Sequence, residues 1–450
     1  MEGINTKLER VMSEPVRTLL IYALQHIAAM CAGAIAVPII LGGALSLPQE
    51  EIQFLVNATL MVSGVGTMIQ TLGIGKKFGS RLLMIEGVSF AGVAALTSVA
   101  SAYNGVDPRL GISIMFGATM ISGVFTMIFA PVVGKMLKFF PNLVSGTVVT
   151  CMGLSLLPVA IRWIGGGNTA SPSFGSFDNL ILAGFTLIVI LLTQKLSKGF
   201  IGNIAILIGL LLGTLVATVF GMADFSAVST AKIINLNVPF YFGIPKFEIS
   251  AVLSLILVQM VIMTDATGNQ INLMDISNQE LSKERLTAGL RGHGLSSFIG
   301  GIFNSFPQSL FGQNVGVVAL TGKSNRYVGF TAGLLLLTVS IFPKLTALLT
   351  SIPYPVLGGA GIIMFGMVAA NGIKRLGTVE YNGNRNLVIV ATSLGMALIP
   401  ISVPQIFNNF SPWANILFKS PITLGALTVV ILNIIFNELG KNKKMEVSNG

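Results

Sequence analysis

From Thr18 to Pro48 the chain carries no Asp, Glu, Lys or Arg, and eleven further uncharged runs follow it, among them Ile52 to Gly75, Leu110 to Gly134, Leu345 to Ile373 and Asn386 to Phe418. A helix needs roughly 20 apolar residues to cross the hydrocarbon core of a bilayer, so one run after another is long enough to do so. The whole composition follows the same rule. Of 450 residues 53% are hydrophobic and 10% charged, and the mean hydropathy is +0.82. A soluble globule of this length needs a polar skin that these residues cannot supply, which excludes a soluble enzyme and a disordered chain. The pI near 9.7 is no nucleic-acid footprint, because the basic residues are dispersed between apolar runs. Cys31 and Cys151 both lie inside such runs, which excludes a disulfide scaffold and a cysteine-rich metal site.

With Leu82 to Ala100 (interrupted by Glu86) and Leu286 to Phe303 (interrupted by Arg291) added, and Gly292 to Gly322 split at Asn304–Pro307, the expectation is 14 membrane segments. Charge sorting supports an even number. With the N-terminus inside, the inner loops hold 21 of the 27 Lys and Arg residues, while Arg109, Arg162, Lys232, Lys246, Lys344 and Lys419 fall outside. The positive-inside rule then places both termini in the cytoplasm. Trp163 and Trp413 fall at outer span ends, as interfacial anchors do. The first 17 residues are polar and the first apolar run exceeds a signal-peptide core, so no cleavable leader is expected.

Two segments break the pattern in matching ways. Ile85-Glu86-Gly87-Val88-Ser89-Phe90-Ala91-Gly92 and Phe311-Gly312-Gln313-Asn314-Val315-Gly316-Val317-Val318 each set a polar residue beside glycine at the start of a short apolar stretch, half a chain apart. This is the pattern of a two-fold repeat with discontinuous segments, whose half-helix N-termini aim N–H groups at a central ligand. Seven segments per repeat is odd, so the second repeat is inverted relative to the first.

Ionisable residues at membrane depth are expensive and mark function. Asp265 follows sixteen uncharged residues; it either ends its helix among headgroups or faces an internal cavity, where it accepts N–H groups. Glu86 lies five residues after Arg81: near the interface in a regular helix, but at mid-membrane if the segment is extended, since an extended chain rises about twice as far per residue. His26 with Gln25 is read as a structural hydrogen-bonder, and His293 is the only other histidine. No catalytic constellation, phosphate-cradling loop or cofactor motif is apparent, so uphill transport would draw on an ion gradient or a partner chain.

Three ordered motifs carry a resemblance. Gln313-Asn314-Val315-Gly316-Val317-Val318-Ala319-Leu320-Thr321-Gly322 resembles the signature of the nucleobase–ascorbate transporters, the nucleobase:cation symporter-2 family of xanthine and uracil permease type. Leu24-Gln25-His26 through Pro38 resembles that family's first span, and Gly300 through Pro307 the stretch before the signature. The resemblance implies an all-α membrane protein of 14 segments in two inverted repeats of seven. Its core would comprise about 17–134 and 249–350, its gate about 139–223 and 353–438, with short broken segments 3 and 10. It further implies a plasma-membrane homodimer that binds a nucleobase between those segments. On the matching positions Gln313 would hydrogen-bond the base, Asp265 would be the eighth-segment acid, Phe90 the site aromatic and Gly312 a backbone donor, with Asn314 and His26 in support.

The chemistry agrees: an amide offers donor and acceptor to an oxopurine edge, and Phe90 or Phe311 can cover its π-face. Gln rather than Glu at 313 resembles xanthine and urate carriers more than uracil carriers. Three positions depart from the family: Asp265 stands for Glu, Asn269 for Asp, and His293 for the ninth-segment Asp, while Glu86 occupies a usually neutral place. The expected function is proton-coupled uptake of xanthine or uric acid, sodium being the other ion to weigh. Asp265 is the first coupling candidate and Glu86 the second. A uracil carrier is the rival within the class; an anion exchanger or channel on the same architecture is the rival outside it.

Overall fold

The computed structural model describes residues 15–133 and 141–439. The terminal stretches and residues 134–140, which carry Lys7, Arg10, Lys135, Lys138 and the lysines after 440, lie outside the described residues, as does the side chain of Trp413. The apolar runs become helices, and those of ten residues or more are α1 Val16–Ala44, α2 Gln49–Leu72, α3 Val93–Tyr103, α4 Pro108–Phe129, α5 Asn142–Ile164, α6 Phe177–Leu196 and α7 Ala205–Val219. In the second half follow α8 Ile249–Ile276, α9 Lys283–Ile302, α10 Gly312–Thr321, α11 Arg326–Ser340, α12 Tyr354–Leu376, α13 Arg385–Ser402 and α14 Pro421–Asn433. Short polar side chains start several of them. Asp107, Ser176, Ser282, Asn325 and Ser420 each accept a hydrogen bond from a first-turn N–H, satisfying donors that the helix itself leaves unpaired.

Among the described residues nine helices are long and apolar enough to cross a membrane, ten if α11 and Pro343–Thr350, bent at 87°, count as one. α3, α7, α9 and α10 fail that test for different reasons. α3, α7 and α10 are short, whereas α9 has the length but is polar, with His293, Ser296 and Ser297 buried. α9 packs between α2 and α4, so protein rather than lipid surrounds its polar groups, and its sequence need not be apolar. α6 and α13 are the reverse case: Leu180, Ile181, Ile188, Leu387 and Val388 are exposed, a surface suited to lipid.

The main packed pairs are α2 with α11, α4 with α9, α5 with α12, α6 with α7 and α13 with α14. Adding seven to one helix number and subtracting seven from the other converts the α2–α11 pair into α9–α4; adding seven to both converts α6–α7 into α13–α14. Glycines close the related pairs in the same way. A Cβ on Gly64 would lie 2.6 Å from the Gly333 carbonyl oxygen, and one on Gly123 2.6 Å from that of Gly294. On α5, a Cβ on Gly153 would lie 2.2 Å from the backbone nitrogen of Ala369 on α12. Small residues of this kind let helix backbones approach where lipid gives no hydrophobic incentive to associate.

The expectation of an all-α protein needs one correction. β1 (Glu86–Val88) and β2 (Gln308–Leu310) form an antiparallel ladder with Glu86 opposite Leu310, Gly87 opposite Ser309 and Val88 opposite Gln308. Phe311 N–H to the Ile85 carbonyl (3.0 Å) and Ser89 N–H to the Pro307 carbonyl (2.8 Å) extend it. All six strand residues are buried. Extended backbone deep in a membrane protein must find its hydrogen bonds within the protein, and here each broken segment satisfies the other.

Candidate functional site

The ladder delivers α3 and α10 to the edge of a cavity of about 640 Å³. Ser89 ends the strand and caps a single turn, Phe90–Gly92, that leads into α3. Phe311 is the N-cap of α10, and the first turn leaves the N–H groups of Gly312 and Gln313 without partners inside the helix. Of the residues the sequence proposes, Phe90, Phe311, Gly312, Gln313, Asp265 and Asn269 all line this one cavity.

Glycines hold the aromatic wall. A Cβ on Gly87 would meet the Phe311 ring at 2.4 Å, and one on Gly33 of α1 would meet it at 2.7 Å and the Phe90 ring at 3.1 Å. Both rings therefore lie flush against backbone that only glycine leaves open. On the same cavity Asp265 of α8 is ion-paired to Arg375 of α12. The Asn269 amide lies 3.5 Å from the other Asp265 oxygen, the outer limit for a hydrogen bond. The two ion-paired side chains retain 37% and 31% of their exposure.

Glu86, His293, His26 and Asn314 are not on the cavity wall but behind it. Glu86 accepts from Gln70 Nε2 at 2.7 Å and contacts His293 Nδ1 at 2.6 Å and 2.8 Å through its two oxygens. Gln70 also donates to the Gly289 carbonyl and accepts from the Ser80 N–H, and Thr67 Oγ1 accepts the Glu86 N–H. One carboxylate thus ties α2, the ladder and α9 together. On the other side His26 Nδ1 meets Asn314 Oδ1 at 2.8 Å and ties α1 to α10.

Sequence reasoning missed five residues of this arrangement. Arg375 and Lys374 read as inner-loop charges but line the cavity, as do Asn371 and Met364 of the same helix. Gln70, a polar residue inside an apolar run, was the available signal for the buried network. Trp163 is corrected: in place of an interfacial anchor it is 5% exposed and packed within the protein.

A larger recess, about 940 Å³, lies at the opposite end of α5 and α12, bordered by Gln53, Asn57, Asp224, Lys232, Tyr241 and Tyr354. It shares no lining residue with the first cavity. Between them runs a file of rings: Tyr354 to Trp163 (6.4 Å between centroids), Trp163 to Phe365 (6.3 Å) and Phe365 to Phe90 (5.7 Å).

Two recesses at opposite ends, a barrier between them and paired discontinuous segments at one of them define a membrane transport protein. The chain belongs to the Permease family, Xan_ur_permease, whose model matches residues 17–406; it is a permease and not an enzyme. It is similar to the xanthine permease of Bacillus subtilis (strain 168), with 39% identity covering 94% of each chain. Uric acid permease PucK of the same organism is 40% identical, covering 93% of this chain and 95% of that one. Uric acid transporter UacT of Escherichia coli (strain K12) is 37% identical over 96% and 88%. Among solved structures, the transmembrane domain of a cyanobacterium bicarbonate transporter, BicA, has the same fold, with TM-score 0.61, 17% identity and coverage of 92% and 97%.

Proposed function

We propose that the chain takes up an oxopurine, xanthine or uric acid, by proton-coupled symport across the plasma membrane. The observation that carries the reading is the convergence of an amide (Gln313), a carboxylate (Asp265), an aromatic ring (Phe90) and the open first turn of α10 on one cavity. Donor and acceptor groups of Gln313 match the edge of a planar dione, and Phe90 covers a face. The names of the relatives, xanthine and uric acid permeases and transporters, support that substrate class.

In this reading α1–α4 and α8–α11 form the core, α5–α7 and α12–α14 the gate, and the two sets of seven are inverted repeats; the seven-helix offset in the packed pairs supports it. The end of α12 that carries Lys374 and Arg375 then faces the cytoplasm, so the site opens inward and the ring file closes it to the outside. Asp265 is the group that trades the proton, with sodium as the other ion to test, and the working unit is a homodimer.

Radiolabelled xanthine and urate uptake into cells expressing the chain should saturate, and a protonophore should abolish accumulation. Gln313→Ala should weaken binding of every accepted base. Uptake of uracil in preference to either oxopurine would transfer the reading to a pyrimidine carrier, and chloride-dependent exchange without base uptake to an anion exchanger.

A further inference from the structure

The charges around the cavity do not balance. Among its described lining residues Asp265 is the single acid, whereas Lys374 and Arg375 are both basic, and Asp265 already engages Arg375. The acid is therefore committed to a cation, and Lys374 makes no ion pair among the described residues. A neutral base entering here would meet a carboxylate held by arginine and a surplus positive charge; a base carrying one negative charge would complete the set. The first turn of α10, with the N–H groups of Gly312 and Gln313 left without intrahelical partners, adds partial positive charge to the same cavity, where a Cβ on Gly312 would lie 3.5 Å from the Asn269 amide of α8.

We propose that the species recognised is an oxopurine anion, and that it takes the place of Asp265 on the Arg375 guanidinium. This rests on the base site proposed above and adds to it a recognition residue on α12. The geometry suits the exchange. Arg375 and Asp265 keep 31% and 37% of their side-chain surface exposed and both line the cavity, so the pair is reachable by a ligand. A guanidinium presents two parallel N–H groups that match the O=C–N⁻ edge of a deprotonated dione as they match a carboxylate. Asp265 belongs to α8 and Arg375 to α12, so moving the arginine from carboxylate to ligand unlinks those two helices when substrate is present. The charged groups facing Arg375 across this cavity are Asp265 on α8 and its neighbour Lys374 on α12; Glu86 and His293 lie behind the ladder and do not line it.

The test is binding of urate, an anion at neutral pH, and of hypoxanthine, neutral at the same pH, to the purified full-length protein. Arg375→Gln should weaken urate at least about ten-fold while changing hypoxanthine less than about two-fold, and Arg375→Lys should keep part of the urate affinity, the charge without the fork. Asp265→Asn gives a second, opposite-signed readout: with its competitor removed, Arg375 should bind urate as tightly as in the parent or tighter. Equal loss of both ligands in Arg375→Gln, unchanged urate binding in that variant, or a ten-fold loss of urate in Asp265→Asn would each overturn the proposal. Hypoxanthine that fails to bind the parent leaves the sign of Asp265→Asn as the deciding result. Gln313→Ala separates the two claims: if it leaves every base unaffected, the base site itself is wrong, whatever Arg375 does.

Discussion

Glu86 and His293 are separated by 207 positions in the chain and by 2.6 Å in the fold, and neither side chain exposes more than 1% of its surface. One comes from a strand that flanks the cavity lined by Phe90 and Gln313, the other from a helix that contributes nothing to its wall. Their contact joins β1 to α9, as the Gln308 N–H to Ser297 Oγ bond (2.9 Å) joins β2 to it. His293 Nε2 is buried without a partner, so the pair depends on Nδ1 alone.

Breaking this pair on one side should be costly. Glu86→Gln or His293→Asp alone should lower stability by about 3 kcal/mol or more, because an uncompensated polar or charged group stays buried. The double variant places a neutral residue at 86 and an acid at 293, with Gln70 still beside them. It should recover most of the loss, a non-additivity that a thermal-shift cycle in detergent measures directly. Additive losses would mean that the two side chains do not act as a unit.

Gly87→Ala should affect the site more than the fold. The added methyl would lie 2.4 Å from the Phe311 ring, and Gly33 blocks the ring's retreat on the other side. Base affinity should fall at least about ten-fold. Combining the change with Phe311→Leu should restore part of it, read by ligand-induced stabilisation.

Closing contacts between helices predict a different pattern. Gly153→Ala and Gly333→Ala place a methyl against backbone at 2.2 Å and 2.7 Å and should each cost about 1–3 kcal/mol as overpacking. Gly184→Ala and Gly395→Ala, on helices where a Cβ meets nothing within 4 Å, should be neutral or stabilise by about 0.5–1 kcal/mol. Thermal midpoints of the four variants separate the two classes.

The ring file predicts a leak. Phe365 is fully buried between Trp163 and Phe90, and Phe365→Ala opens space in the barrier between the two recesses. Concentrative uptake should collapse while binding of the base persists, a split seen by comparing steady-state accumulation with equilibrium binding. Retained accumulation would place the barrier elsewhere.

What could be read from the chain, and what could not, divides along physical lines. Span-forming segments such as Thr18 to Pro48 announce themselves because hydropathy is a property of one segment at a time. The breaks at Glu86-Gly87 and Gly312-Gln313 are equally local, and with the signature around Gln313 they pointed to Phe90, Phe311, Gly312 and Gln313, while the polar eighth segment pointed to Asp265 and Asn269; the fold gathers all six on one cavity. The ladder was out of reach, since three-residue strands have no periodicity to detect; pairing them needs the geometry of both halves. Arg375 was hidden for the opposite reason. Its charge fitted a cytoplasmic loop so well that nothing marked it as a cavity residue. Trp163 misled similarly, because an aromatic at a span end suits an interface and an internal barrier alike.

The ladder also has a consequence for how the chain is made. Its two strands are more than two hundred residues apart, so Glu86 and the open edge of its strand enter the bilayer long before residues 293 and 308–310 have left the ribosome. Until then the first half holds a carboxylate and extended peptide groups with no counterpart in the finished half. Biogenesis therefore passes through a stage that depends on water, lipid headgroups or an insertion factor to shelter that segment, and a truncated first half is the form most exposed to quality control.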